Sequence, residues 1–561
     1  MVRGGRCAGG VLGCAVYADE HPVRFVALLG FAVLRTGLTA WVRQALVRVR
    51  GAGVAADGVS SAASPISRLF QDSSLYFVGN VAGRIVGFLA IPFYTRFLSA
   101  EEYGLLELIE LSTQTIAIVF GLQAIGAALS RLFYDQQSPD AERAVVSTAL
   151  IGTAVLSAAV AGAAVAFAGP LSVALFKTAE WTGLLQASFI AMFFGNMIEI
   201  VMVYERIRNN ARFYVGYSLV TLAATLGLNI LFIGFMHAGV WGFVSSKLIV
   251  TALTCGALFV RVRRDVGWRW RGSLVPGLVK FGAPLIVSGL SYFAIHFSDR
   301  FFLKDAVSLA DLGRYGLAYR FAILVSALVG DSFDKSWGVT LYRYVGKPGW
   351  RERFAQVGAG FSYVLFVTGL AIALFSPELL RVMVPPDFMP PQFLLPILIG
   401  SYLAREIGDF FRTLLLINKR AVLVGNIALG GAVLNLVTNW LLIPKYGTYG
   451  AAWATLLTWA AYMVVCWVVA NREHRLPMPV WAYVRLGVLV VTVYGVAAET
   501  RVGPLVLQGV LDGVWTLVFA ALAFRTFLQV GERRMALRFL KGLAETAGGW
   551  ITTRARRAGP G

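Results

Sequence analysis

The chain has 561 residues, of which 58% are hydrophobic and only 14% are charged. This composition excludes an ordinary water-soluble globular protein, which could not bury so much apolar surface. The 50 Lys and Arg against 30 Asp and Glu give a formal charge of +20, but these cations concentrate in short connections between apolar runs. We therefore expect contact with membrane lipids and no nucleic-acid partner.

The first 66 residues differ from the rest, since they are rich in Arg, Ala and Gly. Their best apolar stretch, residues 25–34, is too short to cross a bilayer. The segment has some features of a targeting sequence but lacks a convincing cleavage region. We interpret residues 1–66 as a poorly ordered extension that lies outside the functional core.

Apolar runs of about the length that crosses a bilayer recur along the remaining chain. They are continuous, without the ten-residue alternation of membrane strands, so helices must satisfy the backbone in lipid. The sequence thus predicts an all-α polytopic membrane protein with about fourteen transmembrane helices. The predicted spans are 74–97, 105–129, 145–168, 183–204, 214–236, 239–260, 281–303, 315–333, 355–376, 392–415, 421–443, 448–470, 481–498 and 504–528.

Basic residues are concentrated in every second connection, and most of all in residues 261–280. By the positive-inside rule, this asymmetry places both ends of the helical core in the cytoplasm. The basic tail, residues 531–561, interleaves apolar side chains with its arginines. It is typical of a helix that rests on anionic headgroups, as the basic connections do.

Two short motifs occur twice, which predicts an internal duplication. The first motif, RFL followed by YGL, comes at the end of the first span, and RFFL followed by YGL recurs around the seventh and eighth spans. The second motif, an Asn and an Ile followed by G-x-x-G, occurs once in each half of the chain. The matched residues lie 204 (Arg96 to Arg300), 210 (Asn229 to Asn439) and 208 (Gly242 to Gly450) positions apart.

The repeat predicts two pseudo-symmetric lobes of six helices. The boundaries are 67–262 for the first lobe, 263–475 for a basic linker with the second lobe, and 476–530 for two further helices. With an even number of spans in each half, the lobes share one orientation and enclose a cavity, as in transporters that alternate access.

Ionisable residues inside the spans are the candidate functional groups, because each costs about 2.5 to 3.5 kcal/mol at the bilayer centre. Arg84 and Arg320 have no opposite charge nearby in sequence, which favours a functional role. Arginines facing a cavity would suit an anionic, phosphate-bearing substrate, since the guanidinium matches phosphate oxygens in pairs. The acidic positions and their neighbours are candidates for ion coupling or for structural ion pairs: Glu199, Asp299 (beside Arg300), Arg405, Glu406 and Asp409.

The motifs FYTRFLSAEEYGLLEL, KFGAPLIVSGL, FSDRFFL, LGRYGLAYR and LNLVTNWLLIPKYGTYGAAWATLLT resemble those of a known family. It is the polysaccharide biosynthesis flippases, including O-antigen flippases, of the multidrug/oligosaccharidyl-lipid/polysaccharide (MOP) exporter superfamily. The resemblance covers about residues 68–475, and residues 1–66 depart from it.

This resemblance implies a transporter of the bacterial cytoplasmic membrane that moves a polyprenyl-pyrophosphate-linked oligosaccharide to the outer leaflet for lipopolysaccharide or other surface polysaccharide. It implies that Arg84, Arg300 and Arg320 line the substrate cavity. Polysaccharide assembly proteins are the partners that such a role would suggest.

Two other functions are open. One is a proton- or sodium-coupled drug antiporter of the same superfamily, which would use one of the carboxylates named above. The other is a membrane-embedded sugar polymerase or ligase, which the short outer loops disfavour. We expect a transporter rather than an enzyme. The sequence has no phosphate-loop motif for ATP. Its four Cys and four His show no metal-ligand spacing, so we expect neither a cofactor nor a metal.

Overall fold

A computed structural model describes residues 86–391, 393–501, 504–529 and 532–533. Every regular element in these ranges is helical, without a strand, so the predicted all-α class is confirmed. The extension 1–66, most of the tail and Arg84 lie outside the described residues.

The described residues form sixteen α-helices, numbered here in chain order. They are α1 Ile91–Phe97, α2 Ala100–Val119, α3 Ala124–Tyr134, α4 Pro139–Ala166, α5 Ala168–Phe176, α6 Thr182–Ile207, α7 Ala211–Asn229, α8 Gly239–Val266, α9 Val275–Ala306, α10 Leu309–Ala322, α11 Asp331–Tyr344, α12 Trp350–Met383, α13 Leu394–Ile417, α14 Ala421–His474, α15 Val480–Glu499 and α16 Leu505–Thr526. Single turns of π-helix, Ile230–Phe235 and Ser326–Gly330, extend α7 and precede α11.

Among the described residues, ten helices are long and apolar enough to cross a membrane, or eleven if α2 and α3, bent by 41°, form one span. This is a multi-pass membrane protein, but the number fourteen is not confirmed. The helix α13 carries four charged residues, and the first predicted span is described only from residue 86. The helix α14 counts once, although Gly447 (φ 54°, ψ −128°) breaks it where the eleventh and twelfth spans were predicted to meet.

The chain divides into two compact units. The first contains the described residues up to Gly316 with Val382–Met389, and the second contains Leu317–Arg381 and the described residues from Pro390 onward. These units reflect packing, whereas the predicted lobe boundaries at 262 and 475 rest on the repeat, and those boundaries remain predictions.

In the first unit, one apolar core joins α3, α4, α6 and α8 through buried residues such as Leu129, Val146, Val201 and Leu258. In the second unit, the last two helices share a core with α12, in which Leu374, Leu486 and Phe519 are buried. Only 17% of the apolar window is buried in α14 and in α16, so their outer faces are suited to lipid.

The first glycine of each duplicated motif has a positive φ. Gly239 and Gly447 both have positive φ, at 52° and 54°, where one apolar segment turns into the next. Three residues later, a Cβ at Gly242 would lie 2.9 Å from the Ile233 side chain, and one at Gly450 would overlap the main chain at Leu442. Glycine is therefore required for the turn and for the close contact after it, in each half.

Candidate functional site

Asp299 and Arg300 form a buried ion pair in α9 of the first unit. Each residue is only 1% exposed, and Arg300 Nη1 lies 2.8 Å from Asp299 Oδ1. The same nitrogen donates to the His296 carbonyl at 2.8 Å. Two residues from other helices join the pair. The Tyr315 hydroxyl donates to Asp299, and Glu107 Oε1 lies 3.8 Å from Arg300 Nε. Arg300 is thus paired with carboxylates of the protein within the first unit.

The repeated Tyr-Gly motifs build this centre. A Cβ at Gly104 of α2 would overlap the Leu309 carbonyl of α10, and one at Gly313 would overlap the Ala100 carbonyl. Glycines at the crossing therefore let α2 and α10 approach backbone to backbone. A Cβ at Gly316 would lie 3.1 Å from the Glu107 carboxylate carbon. The crossing thus brings Glu107 beside the second Tyr-Gly motif, whose tyrosine holds Asp299.

Arg320 lies on α10, half-buried, and belongs to the second unit. Of the three arginines expected to bind substrate, Arg300 is buried and ion-paired and Arg320 is half-buried. The third, Arg84, lies outside the described residues. Their common role as a substrate site remains a prediction.

A second charged centre surrounds α13 in the second unit. Arg412 Nε lies 2.7 Å from Asp409 Oδ1, and Arg405 Nε lies 3.6 Å from Asp409 Oδ2. Arg405 Nη1 lies 3.5 Å from Glu406 Oε1, and Arg412 Nη2 lies 3.9 Å from Asp334 Oδ2 on α11. The structure thus brings Arg405, Glu406 and Asp409 together, with Asp334 and Arg412 added.

Neutral hydrogen-bond donors complete this α13 centre. Ser326, in the second π turn, donates to the Glu406 carboxylate, and Arg405 Nη1 donates to the Ser326 hydroxyl at 3.2 Å. Tyr462 of α14 donates to Asp409 Oδ1 at 3.1 Å. A Cβ at Gly330 would overlap the Glu406 carboxylate, so the π turn fits closely around this acid.

The α13 centre contains three carboxyl groups and two guanidinium groups. One ligand oxygen from each of Asp334, Glu406 and Asp409 lies within 4.8 Å of the other two. With all three acids ionised, these five described side chains alone would carry a net charge of −1. A bound proton or a small monovalent cation would neutralise that charge, which is costly at membrane depth.

The other predicted position, Glu199, lies apart from both centres. It pairs with Arg206 at 2.8 Å, and both side chains are about half exposed, which is typical of a surface ion pair. The sequence reasoning missed Lys247 of α8, which pairs with Glu110 of α2 at 3.1 Å. It also missed Asp334 and Tyr462. Lys247 lies inside an apolar run, so the criterion applied to the other charges would have found it.

Comparison with known proteins places the chain in a family. A family model described as "Polysaccharide biosynthesis protein" matches residues 93–384, just over half of the chain. Protein 1 of the Lsg locus of Haemophilus influenzae is 24% identical over 269 residues, which cover 47% of this chain and 63% of that protein. The match thus spans less than two thirds of that relative.

The fold is similar to that of solved transporters. The lipid II flippase MurJ, in an inward closed conformation, matches with a TM-score of 0.65 and 15% identity over 81% of this chain and all of that one. An outward-facing multidrug resistance MATE transporter of the MOP superfamily matches with a TM-score of 0.53 and 12% identity, over 74% and 98% of the two chains. With the matched family model, these findings show that the chain belongs to the polysaccharide biosynthesis protein family and has the fold of MOP-superfamily transporters.

Proposed function

We propose that this protein flips an anionic, polyprenyl-pyrophosphate-linked oligosaccharide across the bacterial cytoplasmic membrane for the synthesis of surface polysaccharide. The observation that carries the proposal is the match to a polysaccharide biosynthesis family in a chain with a transporter fold. The name of one similar structure, a lipid II flippase, adds support from a protein that handles a lipid-linked substrate.

In this proposal, Arg84 and Arg320 meet the pyrophosphate directly. A guanidinium offers paired donors to phosphate oxygens and stays charged at any physiological pH. Arg300 plays a different part, because Asp299, Glu107 and Tyr315 already surround it. It reaches substrate only in a conformation that opens this pair, and otherwise stabilises the α2–α10 crossing.

The test is transport by the Arg320→Ala variant. Proteoliposomes containing a fluorescent polyprenyl-pyrophosphate glycan would be treated with a membrane-impermeant quencher to count translocated molecules. We expect Arg320→Ala to lose at least nine tenths of transport and Arg320→Lys to regain part of it, since a lysine restores charge without the fork. The matched control is Arg131→Ala, because Arg131 is 64% exposed and pairs only with Asp135 among the described residues.

The proposal fails if Arg320→Ala transports like the unmodified protein while remaining inserted and monodisperse. The same pair of substitutions at Arg84 tests the position that the structure does not describe. Cells that lack the gene should lose surface polysaccharide, and only the unmodified gene should restore it. That result would show that the transport measured in vitro serves polysaccharide synthesis in the cell.

The α13 centre favours ion coupling as the energy source. Its three clustered carboxyl groups outnumber the two guanidinium groups beside them, and Ser326 holds Glu406 within the same network. We propose that Glu406 takes up the coupling proton, with Asp334 and Asp409 beside it. The same observation also suits the second candidate function, a proton-coupled antiporter of small cationic molecules.

Glu406→Gln tests this assignment. We expect its transport to become independent of an imposed pH gradient, while Asp311→Asn, an exposed acid bound to Arg314, keeps the dependence. Unchanged gradient dependence in Glu406→Gln would exclude the coupling role. If the protein moved a cationic dye but no lipid-linked glycan, the antiporter would replace the flippase.

A further inference from the structure

The connection between α8 and α9 is fixed tightly to the start of α4. We call residues 267–271, with sequence GWRWR, the strap. The strap's main-chain N–H groups at Arg269 and Arg271 donate to the hydroxyls of Ser147 and Thr148, at 2.8 and 3.1 Å. Arg269 also pairs with Asp140 at 2.8 Å. The strap therefore holds its two tryptophans at a defined position in the first unit.

An open groove begins at the strap and runs between α4 and α9. It encloses about 340 Å³, within the range of small-molecule sites, and its lining is almost wholly apolar. Trp270 and Val275 line one end, Leu156 and Ile286 lie further along, and Ala124 of α3 lies on one wall. All of these residues belong to the first unit.

The length of the groove matches one leaflet of a bilayer. Along α9, the lining runs from Val275 to Ile286, which is about 16 Å at a rise of 1.5 Å per residue. Half of a hydrocarbon core of about 30 Å is about 15 Å. A groove that spans the leaflet from the strap inward would place the strap at headgroup depth, where Trp side chains are favoured, and Trp270 is 53% exposed.

Two exposed cations lie beside the groove. The side chains of Arg271 and Lys280 form no ion pair or hydrogen bond with any residue in the described part of the chain. Arg271 follows Trp270 at the strap end, whereas Lys280 lies about 7.5 Å beyond Val275 along α9, and its long stem lets the ammonium reach back toward the strap. Two such cations attract an anionic headgroup with about 1 kcal/mol each near a membrane surface.

The lining and the charge beside it together indicate the occupant. An acyl chain suits the apolar lining, and a phosphate suits the exposed Arg271 and Lys280. Thr153 also borders the groove, but it is fully buried, so its hydroxyl offers no surface to a bound lipid.

We propose that this groove is a binding site for one anionic glycerophospholipid of the cytoplasmic leaflet. One acyl chain fills the groove between α4 and α9, and the phosphate lies within reach of Arg271 and Lys280. The groove shares no residue with either charged centre described above, and the proposal does not depend on which substrate the protein transports.

A matched pair of glycine substitutions tests the site. A Cβ at Gly152, which lines the groove, meets nothing within 4 Å, and the same holds for Gly162 further along α4, outside the lining. Gly152→Phe would fill the groove, whereas Gly162→Phe makes the same chemical change elsewhere. Native mass spectrometry of the purified protein, titrated with phosphatidylglycerol, reports lipid retained per protein.

We expect the unmodified protein and Gly162→Phe to retain one phosphatidylglycerol that Gly152→Phe loses, with at least a tenfold lower affinity. Arg271→Gln combined with Lys280→Gln should abolish the preference for phosphatidylglycerol over phosphatidylcholine. Equal retention by the two phenylalanine variants would overturn the proposal, as would stronger retention of undecaprenyl phosphate than of phosphatidylglycerol at this site.

A second measurement needs no substitution. Phosphatidylglycerol with a photoreactive acyl chain should crosslink the unmodified protein at peptides that contain residues 148–156 and 275–286. Crosslinks spread evenly over the lipid-facing helices, without enrichment in these two peptides, would also overturn the proposal.

Discussion

Replacing Gly408 of α13 by alanine should disturb the charged centre without changing any of its charges. A Cβ at this position would lie 2.7 Å from Cδ1 of Tyr462 and 3.2 Å from the main-chain Cα of Met463. Ordinary contact begins near 3.4 Å, so the tyrosine ring must retreat by about 0.7 Å, the difference between these distances. A retreat away from Asp409 would stretch the hydrogen bond from Tyr462 to Asp409, now 3.1 Å, beyond bonding range.

The expected loss of stability combines three contributions. Overpacking costs about 1 to 3 kcal/mol, and loss of a hydrogen bond to a charged group about 1.5 to 3 kcal/mol. Alanine in place of a helical glycine returns about 0.5 to 1 kcal/mol. A net loss of about 3 kcal/mol, within a factor of two, should appear as a lower unfolding free energy in detergent. The matched control is Gly400→Ala on the same helix, where the Cβ would meet Leu456 at an ordinary 3.6 Å.

A double-mutant cycle with Tyr462→Phe separates the two causes. If Gly408→Ala acts partly by breaking the tyrosine hydrogen bond, the two substitutions together should cost about 1 kcal/mol less than their sum. The reasoning is refuted if Gly408→Ala is as stable as Gly400→Ala. Strict additivity in the cycle would show that the hydrogen bond is not involved.

Three further substitutions can be checked by the same unfolding measurement. Gly104→Ala should lower the free energy of unfolding by about 1 to 3 kcal/mol, because its Cβ would meet the main chain of α10. The control Gly216→Ala, whose Cβ would lie in open space, should leave the stability unchanged. Equal effects of the two substitutions would contradict the tight crossing. Gly447→Ala should cost about 1 to 3 kcal/mol, because φ 54° with ψ −128° is a glycine conformation, and an unchanged stability would show that the backbone can relax. Asp299→Asn should cost about 3 to 5 kcal/mol by leaving Arg300 buried without its nearest charge, and a cost below 1 kcal/mol would mean that other groups compensate Arg300.

Sequence reasoning located the helices well because run length and glycine turns are local signals. The repeated glycine motif is such a local signal, since Gly239 and Gly447 both have positive φ. It did not foresee that Tyr315 and Glu107 would gather around Asp299 and Arg300. Contacts across helices depend on the rotation and crossing of each helix, which composition does not encode.

The charged residues also divide into those visible in the local sequence and those brought in by contacts between helices. Glu406 and Asp409 were visible as acids in an apolar run, and their neighbour Arg405 is adjacent in sequence. Asp334 and Tyr462 join them only because α11 and α14 pack against α13. The number of spans was uncertain for a related reason, since the four charges of α13 lower its apolar character although the helix is largely buried.

The two charged centres should respond differently when helices slide past one another. Asp299 and Arg300 are neighbours on a single helix, so their own attraction travels with α9, and displacement of α9 would break the contacts with Tyr315 and Glu107. The α13 centre instead links a π turn, α11, α13 and α14 through side chains from each. Shear between those helices would separate paired charges and should therefore cost more at the α13 centre. Under the proposed coupling, a proton taken up by Glu406 would lower that cost.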